Sequence, residues 1–173
     1  MKNLIIIDVE TSGLDPVKND IIQLGAVKLN NNYDITERFS IETKPINKNN
    51  WDKKAEKVHK ISLKHLMSVA FSLKTALDFF DEWVGNPKKY LLGGWNVCFD
   101  AAFLLESYKK INKKFLFDYH FIDVNSLVYF SQGKILKLNE AKKVFKINNY
   151  NIHDAMNDCI STALILKRIK NGI

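Results

Sequence analysis

The sequence predicts an α/β fold: a mixed central sheet of about five strands, the first three in a meander, flanked by helices. Three observations carry that expectation. Leu4-Ile5-Ile6-Ile7 is an unbroken apolar run, as a strand buried on both faces requires. Residues 21–29 and 35–42 alternate apolar and polar side chains on either side of Asn30-Asn31-Asn32, which reads as a half-buried hairpin. Beyond Leu73, short apolar strands alternate with segments of helical periodicity, which is how a sheet acquires helical cover.

Taken in order, the first strand runs into Asp8 and Glu10, and Asp15-Pro16 with Asn19-Asp20 then marks a loop. After the hairpin, the polar, lysine-rich residues 44–57 read as a surface loop, and residues 55–66 as a short helical stretch at most. Leu73, Ala76, Leu77, Phe80 and Val84 fall at helical spacing and predict an amphipathic helix. Tyr90-Leu91-Leu92 is the next buried strand, ending at Gly93-Gly94. The helix that follows carries Ala101, Leu104, Leu105 and Tyr108 along one stripe. Residues 119–123 form a further short strand, 124–131 and 137–146 form helices, 148–151 a loop, and 154–170 the last helix.

A chain of 173 residues with 46% hydrophobic content is long enough for one domain with a real core, and residues 1–173 are expected to form it. No stretch approaches the roughly 20 apolar residues of a membrane span, and the N-terminus lacks the pattern of a signal peptide. Cys98 and Cys159 match no metal or redox spacing and read as small core residues of a reducing compartment, so a cytoplasmic location is expected. The net charge of +7 comes almost wholly from lysine, Arg38 and Arg168 being the only arginines. A basic surface suits an anionic partner such as nucleic acid, although a solvated lysine face with no partner has the same composition.

The chemistry concentrates in three places. Asp8 and Glu10 lie two residues apart on a strand, so both carboxylates leave on one face. Two dehydrated acids repel unless a cation lies between them, and hard carboxylate oxygens suit Mg²⁺ or Mn²⁺. A strand ending in two solvated acids would look the same. Asp100 stands in the first turn of a helix after a buried strand, where open α/β sheets place their crevice; the helix dipole alone would also favour an acid there. In the last helix, Asp158 is in phase with Thr162, Ile165 and Ile169 and so points inward with the core. Asp154 reads as a capping acid. His153, just ahead of that helix, is an ordinary loop histidine taken alone; beside a metal and water it is a natural general base.

Together these residues resemble the DEDDh branch of the three-to-five-prime exonucleases, which have a ribonuclease H-like fold. The branch includes the proofreading subunit of bacterial DNA polymerase III, ribonuclease T and oligoribonuclease. Asp8-Val9-Glu10-Thr11 with Gly13-Leu14 is similar to its first motif, Asn96 to Asp100 to its second, and His153 to Asp158 to its third, in the right order and across essentially the whole chain. The resemblance implies two divalent cations held by Asp8, Glu10, Asp100 and Asp158, with Asp8 shared between them and His153 activating the nucleophile. It implies that Thr11, Leu14, Asn96, Phe99 and His59 (in Val58-His59) contact the terminal nucleotides. Phe99 is equally readable as core. Lys60 stands where relatives carry glycine, and Trp95 where many carry histidine. The implied substrate is the three-prime end of a single strand, DNA favoured over RNA, cut to nucleoside monophosphates. An RNA trimmer would share every catalytic residue, and a silent fold that only binds nucleic acid or a polymerase would not need them. The chain ends three residues after Lys170, so any polymerase partner is expected to dock without a C-terminal tether.

Overall fold

The structure is a computed structural model, and it describes residues 3–148 and 154–172. Its centre is a five-stranded mixed sheet of order β3-β2-β1-β4-β5. The strands are β1 (Asn3–Thr11), β2 (Ile21–Leu29), β3 (Ile35–Glu42), β4 (Tyr90–Gly94) and β5 (Phe121–Asp123). The first three pair antiparallel as a meander, and β4 and β5 run parallel to β1. Between and after them lie α1 (Lys53–His59), α2 (Leu63–Val69), α3 (Leu73–Val84), α4 (Val97–Lys110), α5 (Val124–Gln132), α6 (Leu138–Val144) and α7 (Ala155–Lys170).

Alternation along β1 divides the core in two. Ile5, Ile7 and Val9 pack with α3 and α4 residues such as Phe80, Phe103 and Tyr108 on one face. Leu4 and Ile6 pack with Val128 of α5, Ala141 of α6 and Cys159, Ala163 and Ile165 of α7 on the other. Asp8 and Glu10 share the parity of Leu4 and Ile6, so they leave β1 on the α7 side.

Several expectations change. The hairpin lies where it was predicted, but β2 is buried along its whole length instead of half buried. It is an interior strand, between β1 and β3, with α7 across it. Its polar members are buried with partners: Gln23 Oε1 accepts from the Ala155 N–H, and Lys28 Nζ donates to Glu37 and to the Trp83 carbonyl. The surface loop predicted over 44–57 contains a 3-10 turn (Lys48–Asn50) and gives way to α1, which Asp52 caps by accepting from the Lys54 N–H. The stretch 55–66 is not one helix. It breaks at Lys60, which is left-handed (φ 62), and Ser62 caps a new helix through the His65 N–H.

The short strand begins at Phe121, later than expected. On α4, Leu105 is exposed and the buried stripe runs through Val97, Ala101, Leu104 and Tyr108, with Phe103 beside it. Cys159 is buried, whereas Cys98 is exposed, because Val97 and Ala101 take the inward positions of that turn. The predicted loop over 148–151 lies largely outside the described residues. Among the described residues, no helix is long and apolar enough to cross a membrane.

Candidate active site

The C-terminal end of β1 gathers the acids. One carboxylate oxygen from each of Asp8, Glu10 and Asp158 lies within 4.8 Å of the others. Asp8 and Glu10 come from β1, and Asp158 comes down from the first turn of α7. Two features of β2 hold α7 at that height. Gly25 is paired with Asp8, and a Cβ there would meet the Ala155 carbonyl carbon at 2.5 Å, so only glycine lets the helix N-terminus come so near. Gln23, paired with Glu10, accepts the Ala155 N–H at 3.0 Å and anchors the same turn. Asp154 caps α7 by accepting from the Asn157 N–H at 2.9 Å, which is the role its position suggested.

Asp100 arrives from the other helical layer. It is 3% exposed, and its Oδ1 accepts the Val9 N–H at 2.9 Å, bridging α4 to β1 between the two acids of that strand. Asp100 is not one of the three whose oxygens converge, but its charge is felt at Asp8.

The electrostatics are those of a site short of positive charge. Burial pushes the Asp8 carboxyl well up, and Asp100, Asp158 and Glu10 push it further. Burial, then Asp158 and Asp154, raises Glu10 to about 7. Burial raises Asp100 also, opposed by the Val9 N–H. Hard oxygen donors that cannot all ionise alone are a fitting donor set for a divalent cation.

The remaining predicted residues divide. Thr11 is buried at the end of β1, its hydroxyl donating to the Gly13 carbonyl at 2.6 Å. That bond starts the loop that carries Leu14, whose side chain is 78% exposed beyond the site. Asn19 braces the loop: its Oδ1 accepts from the Asp15 N–H and its Nδ2 donates to the Asn50 carbonyl. His59 is buried at the end of α1, its ring edge-on to Trp51, and its Nδ1 accepts the Ile61 N–H at 3.0 Å. Phe99 is half buried against the α3–α4 core, 4.8 Å from the Phe103 ring. Asn96 is left-handed (φ 60, ψ 47) and makes no side-chain cap to α4, so its exposed amide stays with the crevice. His153 lies outside the described residues.

Sequence reasoning missed Gln23, Gly25 and Asp123. Asp123 caps α5 and also accepts the Asn96 N–H at 3.2 Å, tying β5 to the turn after β4. The glycine inside the alternating β2 pattern was the one available signal, since such a residue marks a close backbone approach.

A mixed sheet that brings acids together from a strand end and a facing helix has the donors to hold a divalent cation, as a cation-dependent hydrolase requires. The chain is a member of the exonuclease family, whose sequence model, described as "Exonuclease" (RNase_T), matches residues 5–166. It is 26% identical over 170 residues to the 3'-5' DNA exonuclease Cap18 of Escherichia coli, covering 94% of this chain and 89% of that one. It is 31% identical over 172 residues to the PolC-type DNA polymerase III of Latilactobacillus sakei subsp. sakei (strain 23K), covering 96% of this chain but only 11% of the polymerase. Its fold matches that of E. coli exonuclease I in complex with a dT13 oligonucleotide, with TM-score 0.84, 17% identity, and coverage of 98% of this chain and 41% of that one. The chain is accordingly a nuclease of the 3'-5' exonuclease type, with the ribonuclease H-like fold expected of it.

Proposed function

We propose that residues 1–173 form one exonuclease domain that hydrolyses single-stranded DNA from its three-prime end and releases nucleoside 5'-monophosphates. The observation that carries the reading is the convergence of Asp8, Glu10 and Asp158 at the end of β1, with Asp100 beside them. Asp8, Glu10, Asp100 and Asp158 would hold two divalent cations, Mg²⁺ or Mn²⁺. Bound there, such cations lower the pKa of the attacking water and neutralise charge on the leaving oxygen.

The residues of the chain do the rest. His153 accepts a proton from water as the new O–P bond forms. The P–O3' bond breaks and the leaving O3' takes a proton from solvent water, giving a free 3'-hydroxyl on the shortened strand and a 5'-phosphate on the released nucleotide. Thr11 fixes the turn that carries Leu14, and Leu14 and Phe99 press on terminal bases. Asn96 and His59 contact the sugar-phosphate end. A duplex end must unpair before it reaches the acids, which costs stacking energy and favours single strands. Sequence likeness to a DNA exonuclease and to a DNA polymerase supports DNA over RNA. The polymerase likeness also supports a polymerase as a partner of the domain.

The test is direct. Equal concentrations of labelled single-stranded DNA, single-stranded RNA and a two-to-five-residue RNA are digested in Mg²⁺ or Mn²⁺ at one salt concentration, with EDTA controls. Mononucleotide release from DNA, abolished by EDTA, is expected. An RNA rate tenfold above the DNA rate would make the chain an RNA trimmer, and internal fragments would end the exonuclease reading.

A further inference from the structure

Beside the acid cluster opens a cleft of about 980 Å³ between the turn after β4 and the α5–α6 connection. Its walls include Trp95, Asn96, Asn125, Leu136 and Lys137, together with Asp158, one of the three converging acids. We infer that Trp95 is a stacking platform for a nucleobase flanking the scissile phosphate, and that this cleft receives that base. The inference rests on the nuclease reading above and adds a specificity-determining residue to it.

Four observations place a base there. The first is continuity: Trp95 and Asp158 line the same cleft, so a strand whose phosphate is held by the acids has this cleft beside it. The second is the side of the sheet. Trp95 packs with the α5–α6–α7 core, the same face on which Asp8 and Glu10 leave β1. Phe99 packs with the α3–α4 core on the opposite face, so the two aromatics flank the acids from different layers and serve different bases. The third is chemistry. Trp95 is the one aromatic residue among the described residues that line the cleft, and it is half buried. Every base has a π-face, so such a platform binds without reading sequence. The fourth is polarity. Asn96 and Asn125 line the cleft beside Trp95 and bring amide groups to it. Lys137 brings positive charge to the cleft, alongside the Glu140 carboxylate that also lines it.

The experiment pairs Trp95→Ala with strands carrying one abasic unit. Binding is read by anisotropy of 5'-labelled (dT)10 in Ca²⁺, and turnover in Mg²⁺. Trp95→Ala is expected to raise Kd and KM by about tenfold, with kcat changed less than about twofold. Trp95→Phe, which keeps a ring in the core, should recover most of the loss and controls for misfolding. An abasic terminal or penultimate unit should weaken wild-type binding by a similar factor, and an abasic fifth unit should not. The near-end abasic strand should show no further loss with Trp95→Ala, because platform and base are then both absent. Equal abasic penalties in wild type and Trp95→Ala, or no penalty in either, would overturn the inference while leaving the nuclease intact. Failure of the wild type to cleave any strand would instead remove the nuclease reading, and the wild-type Kd ratio between normal and abasic strands would still decide the stacking.

Discussion

Asp8 is half-buried among like charges, and that makes its substitution unusually informative. Replacing it with asparagine keeps the shape and removes one charge from an uncompensated cluster. Asp8→Asn is therefore expected to raise the melting temperature of the cation-free protein, to abolish the further rise that Mn²⁺ produces, and to eliminate nuclease activity. Thermal scans with and without Mn²⁺ check all but the last. A variant with the wild-type Mn²⁺ shift would mean that the cluster holds no cation. His153 calls for a different reading, since its expected work is on water. Removing a general base costs about 10²–10⁴-fold in rate, so His153→Ala should lower kcat by that order while strand binding in Ca²⁺ stays near wild type. At this scale much of the site was legible in sequence. Asp8 and Glu10 share a face by strand parity alone, and Asp158 is inward by helical phase. Asp100 was legible only as an acid at a helix start. Its bond to the Val9 N–H joins residues 91 apart in sequence, and no local pattern announces such a pairing.

At the scale of elements, the site depends on how closely α7 approaches β2. Gly25 marks that contact, because any Cβ would run into the Ala155 backbone at 2.5 Å and backbone cannot rotate away as a side chain can. Gly25→Ala should cost about 1–3 kcal/mol of stability, as overpacking does. It should also weaken Mn²⁺ binding, since the displaced turn carries Asp158. Denaturant melts and Mn²⁺ titrations measure the two effects; normal Mn²⁺ affinity at reduced stability would show that Asp158 is positioned without that contact. The strands and long helices were legible because β1 and α3 write their burial into unbroken or periodic apolar runs. The hairpin strand β2 was placed correctly but misjudged in depth, because Gln23 and Lys28 look solvated until their partners on α7, on β3 and at Trp83 are known. The region around α1 and α2 was missed for another reason. Its helices are short, capped by Asp52 and Ser62, and separated by Lys60 in a left-handed conformation, which only the glycine that relatives carry there announces.

Across the whole molecule, opposite pKa shifts separate the site from the surface and set the pH at which a cation is felt. At the surface, Asp34, Glu56 and Asp78 are held below their ordinary values, first by the side chains of Lys167, Lys53 and Lys113. The stability they contribute is present above the ordinary carboxylate range and is lost only as pH falls through their lowered values. In the site the sign reverses. Glu10 is raised from 4.5 to about 7, so between those values the folded protein holds a proton that the unfolded chain has released. Its contribution is fully present below 4.5 and is lost as pH rises through about 7. Asp8 and Asp100 are raised in the same direction. A divalent cation must displace these protons to bind, so its affinity rises with pH as they are released. The Mn²⁺-induced increase in melting temperature, at one Mn²⁺ concentration, is therefore expected to be small at pH 5.5 and to grow as pH rises through 7. Taking the difference with and without Mn²⁺ cancels titrations that the cation does not touch, including those of the surface ion pairs. Glu10→Gln should shift the rise to a different pH and reduce its size. An increment independent of pH over this interval would mean that the acids at the end of β1 are already ionised without a cation, and that their burial is relieved by something other than the metal.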